Sequence, residues 1–288
     1  MSIGRKDYMS QLIQMNQRIN AIETIKKITH ATRLIAMSAH TRLAHKEPSL
    51  KNYKQEVSKL FSHLASCQSK PISFFSPNEK AEGSLIILVG SQKGFCGTFN
   101  LALFKFFELK LKTLTKNDAI ITIGKKATDY LIKKKTVALE TFSNLSSATL
   151  NNITKLLTET ILKNLPHYKK ILIVNNEPIS FFLQKPHITQ ILPAHTPDSK
   201  KAYNLDSYVW PESQLEVLNH LGKLYLTATI QSLLFSSLVA EQAARFHSMD
   251  NATRNAKDLL DVMRRDYNKL RQSKITQELI ELTSGFER

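Results

Sequence analysis

The chain has 288 residues, 42% of them hydrophobic, enough to bury a globular core and to argue against general disorder. Its two cysteines, Cys67 and Cys96, are too few for a disulfide framework and favour a reducing cytosolic setting. The formal net charge of +16 is unevenly spread: residues 1–57 carry ten Lys/Arg against four Asp/Glu, and residues 212–288 carry ten against ten.

Such an excess suits nucleic acid, an anionic membrane surface, acidic protein partners or simply a solvated lysine-rich surface. The opening "MSIGRKDYMSQLIQMNQRIN" has no apolar h-region and contains Asp7, so neither a secretory signal nor a cleaved organellar address is expected. No run of about 18 apolar residues occurs, so no transmembrane span is expected either.

From Gly4 to Pro48 there is no other glycine or proline. Leu12, Met15, Ile19, Ile22, Ile25, Ile28, Ala31 and then Leu34 or Ile35 recur at steps of three and four, which predicts one face of a long helix. A different texture follows. "SLIILVG" (84–90) reads as a buried strand, "NLALFKFFELKLK" (100–112) as a helix, "AIITIG" (119–124) as a strand and "KKATDYLIKKK" as a helix. "ATLNNITKLLTETILKNLP" (148–166) is a third helix stopped by Pro166; "KKILIVNN" (169–176) is a strand and "HITQILPA" (187–194) an edge strand. Strands alternating with helices predict βαβ units and a largely parallel, Rossmann-like sheet.

Residues 196–211, with Pro197 and Pro211, read as a loop. From Glu212 to Ser284 there is one glycine, Gly222, and no proline. The series Phe235, Val239, Gln242, Phe246, Met249, Thr253, Ala256, Leu260, Met263, Tyr267, Leu270, Lys274 alternates steps of four and three, the 3.5-residue period of a coiled coil. Two long amphipathic helices at opposite ends of the chain can hide these faces on each other, antiparallel. The expected organisation is thus an N-terminal helix (1–57), a linker (58–83), an α/β domain (84–195), a loop (196–211) and a C-terminal helix (212–288).

Chemistry-bearing motifs are few. "GSQKGFCGTFN" (90–100) lies between a strand and a helix, where nucleotide loops sit, but it is neither G-x-G-x-x-G nor a P-loop. It reads as a tight connection, with Cys96 as a packed thiol. The nine histidines show no metal-ligand spacing, so no metal and no cofactor are assigned. Asp250 with Arg254 and Asp261 with Arg265 are expected i,i+4 pairs on a solvated face. In "MDNATRNAKD" (249–258), Met249, Thr253 and Ala256 face the seam with Ala252 beside it. Asp250, Asn251, Arg254, Asn255, Lys257 and Asp258 surround that seam with hydrogen-bonding groups, a pattern suited to contacts on several sides.

"EQAARFHSMDNATRNAKDLLDVMRRDYNKLRQSKITQELIELTSG" (241–285) closely resembles the C-terminal helix of the gamma subunits of F-type ATP synthases. "RINAIETIKKITHATRLIA" (18–36) is similar to that family's N-terminal helix, with Lys27, Ile28 and Thr29 matching its Lys-Ile-Thr core and Leu34-Ile35-Ala36 its apolar triplet. "KGFCGTFN" (93–100) resembles the family's Gly-Leu-Cys-Gly-Gly-Phe-Asn loop, which assigns Gly94, Cys96, Gly97 and Asn100 a structural role. The chain departs from the family at Gln92, where Asp is usual, at Thr32 and Ala39, at Trp210 before Pro211, and in its "SGFER" ending. The cysteine insertion of chloroplast members is absent.

The resemblance implies a central rotor shaft that binds no nucleotide and performs no chemistry. Its terminal helices would turn inside a ring of three alpha and three beta subunits, with Phe246, Met249, Thr253, Ala256, Leu260 and Met263 in the shaft seam. Arg271 and Gln272, with Thr276, Gln277 and Glu278, would meet a beta subunit. The α/β domain would hold the epsilon subunit and the c-subunit ring, at the cytoplasmic face of a bacterial inner membrane. Two rival classes are a nucleotide-dependent α/β enzyme, which needs a phosphate loop, and a nucleic-acid-binding coiled-coil protein, which needs a basic helix face. The neutral 212–288 segment argues against the second.

Overall fold

The computed structural model describes residues 3–66, 81–111, 117–194 and 213–285. Cys67, most of the expected 58–83 linker, the expected 196–211 loop with Trp210 and Pro211, and the final residues of the tail lie outside the described residues. The chain divides into two compact units, Met1–Ala36 with Phe246–Arg288, and Met37–Arg245. Helices α1 (Ile3–Ser66) and α5 (Gln214–Gly285) each contribute to both.

Helix α1 continues through Pro48 and through residues 58–66, beyond its expected end at 57. An interior proline removes one helical hydrogen bond and clashes with the preceding turn, at a cost of about 3 kcal/mol. Here the helix is anchored on both sides of Pro48: Leu43, Val57 and Phe61 are all buried in the larger unit. Phe61 also stacks on Tyr225, with ring centroids 5.0 Å apart. Burial of these side chains offsets the loss, so the helix does not stop.

The larger unit is built on a five-stranded sheet: β1 (Ser84–Val89), β2 (Ala119–Ile123), β3 (Glu140–Phe142), β4 (Lys170–Pro178) and β5 (Gln184–Leu192), in the order β3-β2-β1-β4-β5. β1 pairs parallel with β2 and β4, β2 parallel with β3, and β4 antiparallel with β5 at the edge. Alternate residues of each strand feed two cores. Leu85, Ile87, Val89, Ile121 and Ile173 pack with Leu157 and Ile161 of α4 (Leu150–Asn164) and with Leu226, Ile230 and Leu234 of α5. Ile86, Leu88, Ile120 and Val174 pack with Leu103 and Phe107 of α2 (Phe99–Leu111) and with Ala127 and Leu131 of α3 (Lys125–Lys133). Both faces of the sheet are covered, which explains the unbroken apolar runs. The three-residue β3 was not anticipated.

Helix α5 contains an 18-residue stretch of mean hydropathy 1.2, within Glu216–Ile280, and 78% of that stretch is buried inside the protein. Its apolarity belongs to a core helix.

In the smaller unit, Met249, Ala256 and Leu260 of α5 are buried, while Phe246, Thr253, Met263, Tyr267, Leu270 and Lys274 are half-buried. On α1 the buried or half-buried residues are Leu12, Met15, Ile19, Ile22, Lys26, Thr29, Arg33 and Ala36, flanked by Glu23 and Thr32. This corrects the expected face. After Ile22 the seam passes through Lys26, Thr29 and Arg33, whereas Ile25, Ile28, Leu34 and Ile35 are exposed, Ile35 by 69%. The physical reason is register: a 3.5-residue seam drifts away from the apolar series at 22, 25, 28 and 31, whose steps of three wind off the partner.

Candidate functional site

Three polar links join the two helices of the smaller unit. Arg264 pairs with Glu23. The Thr29 and Thr253 hydroxyls lie 3.0 Å apart. Arg33 Nη1 donates to Asp250 Oδ1 at 2.7 Å. Partner numbers rise on α1 as they fall on α5, so the helices run antiparallel. Of the Lys27-Ile28-Thr29 motif, only Thr29 is buried in the seam; Lys27 and Ile28 point outward.

Asp250 is the centre of this seam. Its second oxygen accepts from Arg254 Nη2 at 2.5 Å, so the carboxylate is held between two guanidinium groups. The hydrogen bond from Arg33 is the main reason that its pKa falls below the usual aspartate value, with Arg254 adding to it. The expected Asp250–Arg254 pair is therefore formed, but on a nearly buried carboxylate rather than a solvated face. The expected Asp261–Arg265 carboxylate pair is not formed: Arg265 Nε donates to the Asp261 backbone carbonyl at 3.2 Å instead.

In the larger unit, the glycine loop leaves the C-terminal end of β1 beside β4. In a doubly wound sheet of this strand order, that is the crevice where ligands bind. Gly124, at the end of β2, has φ +88°, and a Cβ there would lie 2.3 Å from Gly90 O, so only glycine fits. Asn100 fixes the loop from the first turn of α2. Its Nδ2 donates to Ser91 Oγ at 2.8 Å and to Cys96 Sγ at 3.1 Å, and its Oδ1 accepts from Ser91 N at 3.1 Å. Cys96 is buried against Phe99, Ala240 and Ala244, and burial pushes its thiol pKa up, which disfavours a reactive thiolate. Gly97 adopts φ +57°.

The crevice is occupied by α5. Arg245 Nε donates to Gly94 O at 3.2 Å and Nη2 to Lys93 O at 3.3 Å. Nη2 also meets Glu241 Oε1 at 2.5 Å, and Nη1 meets Gln242 Oε1 at 3.0 Å. The loop thus turns carbonyl oxygens toward a cation. A phosphate cradle does the reverse, presenting N–H groups to an anion. Glu241 and Arg245 are only 5% and 7% exposed. Burial raises the Glu241 pKa; Arg245, the Gln92 backbone N–H and Lys93 act the other way.

Gln92 adds a second clamp. Its Oε1 accepts from Asn144 N at 2.9 Å and Lys125 N at 3.2 Å, while its Nε2 donates to Asn144 Oδ1 at 3.1 Å. An aspartate at this position has no donor for the last of these bonds. Sequence reading missed the Glu241–Arg245 pair; its only signal was two opposite charges four residues apart inside the apolar run that ends at Phe246.

Toward the end of α5, Arg271, Gln272, Thr276 and Gln277 are exposed and Glu278 is half-buried. Lys274 Nζ lies 3.7 Å from Glu278 Oε1, and Thr276 Oγ1 donates to Gln272 O at 3.0 Å. These residues form a polar surface over about two turns. Among the described residues no group of three or more metal-ligating side chains occurs.

These features define a class: a protein whose two ends build an antiparallel coiled coil, and whose nucleotide-type sheet has its crevice closed by its own arginine. A family model described as ATP synthase matches residues 11–288. The ATP synthase gamma chain of Hyphomonas neptunium is 29% identical over 293 residues, covering 97% of this chain and 99% of the relative. That of Mycoplasmopsis pulmonis is 30% identical, covering 96% and 99%, and that of Clostridium novyi 31%, covering 95% and 96%. Among solved structures, a chain of the Euglena gracilis mitochondrial ATP synthase (OSCP/F1/c-ring, rotational state 3) matches with a TM-score of 0.71 at 16% identity, over 96% of this chain and 94% of that one. A chain of the rotor of the same enzyme matches with a TM-score of 0.67 at 16% identity, over 92% and 99%. The chain belongs to the ATP synthase gamma chain family.

Proposed function

We propose that this chain is the central shaft of a rotary ATP synthase, coupling proton flow through the membrane sector to ATP synthesis or hydrolysis on other subunits. Its paired terminal helices turn inside a ring of three alpha and three beta subunits, which carry the chemistry. Its α/β domain holds the epsilon subunit and the c-subunit ring. The complex is membrane-bound, and the shaft is peripheral, at the cytoplasmic face of a bacterial inner membrane.

The observation that carries this reading is the mismatch on α1. Ile25, Ile28, Leu34 and Ile35 lie outside the seam, exposed, on a helix whose inner face is already satisfied by α5. Scattered exposed apolar residues are ordinary; four along three turns of a paired helix need a covering surface. The ring supplies it. The polar surface from Arg271 to Glu278 meets a beta subunit, where the Arg271 guanidinium can bind a carboxylate through two parallel hydrogen bonds. Because the arginine stays solvated between contacts, the pair forms and breaks without the penalty of a buried ion.

Reconstitution with alpha and beta subunits tests the reading. Arg271→Glu should lower steady-state ATP turnover while nucleotide affinity at beta stays unchanged. Wild-type turnover in that variant would remove the assigned contact. Failure of the wild-type chain to co-assemble with alpha and beta would remove the shaft itself.

A further inference from the structure

The larger unit contains an open cleft of about 570 Å³ between the second half of α1, α5 and the β4–β5 hairpin. Its volume falls within the range of small-molecule sites, and most of its lining residues are polar, with lysine stems supplying part of the apolar wall. Only Pro178 and Leu233 are apolar; the rest are three lysines, four serines, Gln55 and Glu177.

Two observations single it out. Ser232 and Ser236, one turn apart on α5, are 8% and 7% exposed and line the cleft. Serines inside a helix usually donate to the carbonyl four residues back, as the Ser62 hydroxyl does to Ser58 O at 2.7 Å on the opposite wall. The hydroxyls of Ser232, Ser236 and Ser58 make no hydrogen bond to any described residue. None of the three oxygens is sealed from the cleft, so each hydroxyl is free to donate to whatever occupies it.

The second observation is Lys54. Lys51 and Lys59 are paired along the helix with Glu47 and Glu56, at 2.9 and 2.7 Å. Lys54 has no carboxylate within ion-pair distance among the described residues. It is half-buried, and desolvation lowers its pKa, with Glu177 opposing and Lys51 adding to the effect. One unpaired ammonium and three hydroxyl-bearing residues line the same cleft, a donor set matched to the oxygens of a phosphate group.

We propose that this cleft is a binding site for a small phosphate-bearing solute, held by Lys54 with Ser58, Ser232 and Ser236. The volume exceeds that of a bare phosphate, and Gln55 and Glu177 at the same cleft offer acceptors to hydroxyl groups. A phosphate ester of a small polyol therefore fits better than the inorganic ion. The site lies apart from the glycine loop, so it does not depend on the rotor reading.

The test uses the full-length chain at constant ionic strength. Inorganic phosphate and glycerol 3-phosphate are titrated separately and followed by phosphorus NMR and calorimetry, with chloride as the control anion. Saturable binding of at least one is expected, and tighter binding of glycerol 3-phosphate would identify an ester. Lys54→Met should weaken it at least about tenfold, the factor expected from losing one charge-assisted hydrogen bond. Ser236→Ala, which barely alters shape, should weaken it severalfold and keeps the test valid if Lys54→Met misfolds. No saturable binding by the wild type, or equal binding by wild type and both variants, would overturn the proposal.

Discussion

Replacing Arg245 by alanine tests whether the closed crevice holds the larger unit together. The substitution removes four hydrogen bonds, to Glu241, Gln242, Lys93 and Gly94. More importantly, it leaves the 5%-exposed Glu241 carboxylate without its counter-charge. Breaking a buried pair from one side typically costs about 3–5 kcal/mol. Burial already raises the Glu241 pKa with Arg245 present, so its removal raises it further. A carboxyl whose folded pKa is raised is least harmful when protonated. The deficit of Arg245→Ala should be full above the folded pKa and shrink as pH falls toward the unfolded glutamate value of about 4.3. The assay is urea unfolding of wild type and variant followed by circular dichroism, from pH 8 down to pH 5, taking the difference at each pH so that other carboxylates cancel. The double variant Glu241→Leu/Arg245→Met should recover most of the loss, since apolar replacements of similar volume satisfy the site. A pH-independent deficit, or a double variant as unstable as the single one, would refute the reasoning.

Other expected outcomes follow from the same geometry. Met249→Lys places an ammonium in the seam of the smaller unit and should lower the hydrogen-exchange protection of residues 249–263 by at least about tenfold, equivalent to roughly 1.4 kcal/mol; unchanged protection would mean that the side chain escapes to solvent. The Asp250 pKa is depressed, so its stabilising contribution is complete above the ordinary aspartate value of about 3.9 and is lost as pH falls through the folded value. Asp250→Asn should remove that part of the acid sensitivity of the smaller unit, measured by exchange at residues 20–36. Cys96→Ser should leave ATP turnover of the reconstituted complex within about threefold, roughly 0.7 kcal/mol in the barrier; loss of turnover with assembly intact would assign the thiol a function.

Much of the architecture was legible because periodicity and burial coincide. On α5 the steps of four and three from Phe235 to Lys274 all fall on buried or half-buried side chains, most of them apolar or small. On α1 the same reasoning failed after Ile22. There the residues that face α5 are Lys26, Thr29 and Arg33, and the apolar ones face outward. Hydrophobicity reports coverage by anything, and a single chain does not say which partner does the covering. The Glu241–Arg245 pair escaped notice for the opposite reason: opposite charges four apart normally mark a solvated face, and only tertiary structure puts them in a crevice. The helix through Pro48 was hidden because local breaking rules take no account of Leu43, Val57 and Phe61 buried on either side.

The three polar links between the helices of the smaller unit carry a mechanical consequence. Two rods lying side by side bend independently if they can slide past each other. Glu23–Arg264, Thr29–Thr253 and Arg33–Asp250 act as the rungs of a ladder, each resisting shear at a different height. With helices treated as touching cylinders, blocking slip raises in-plane bending stiffness about fivefold over an unbonded pair. The polar character of the seam, which looks wasteful as a core, is what converts two flexible helices into one beam.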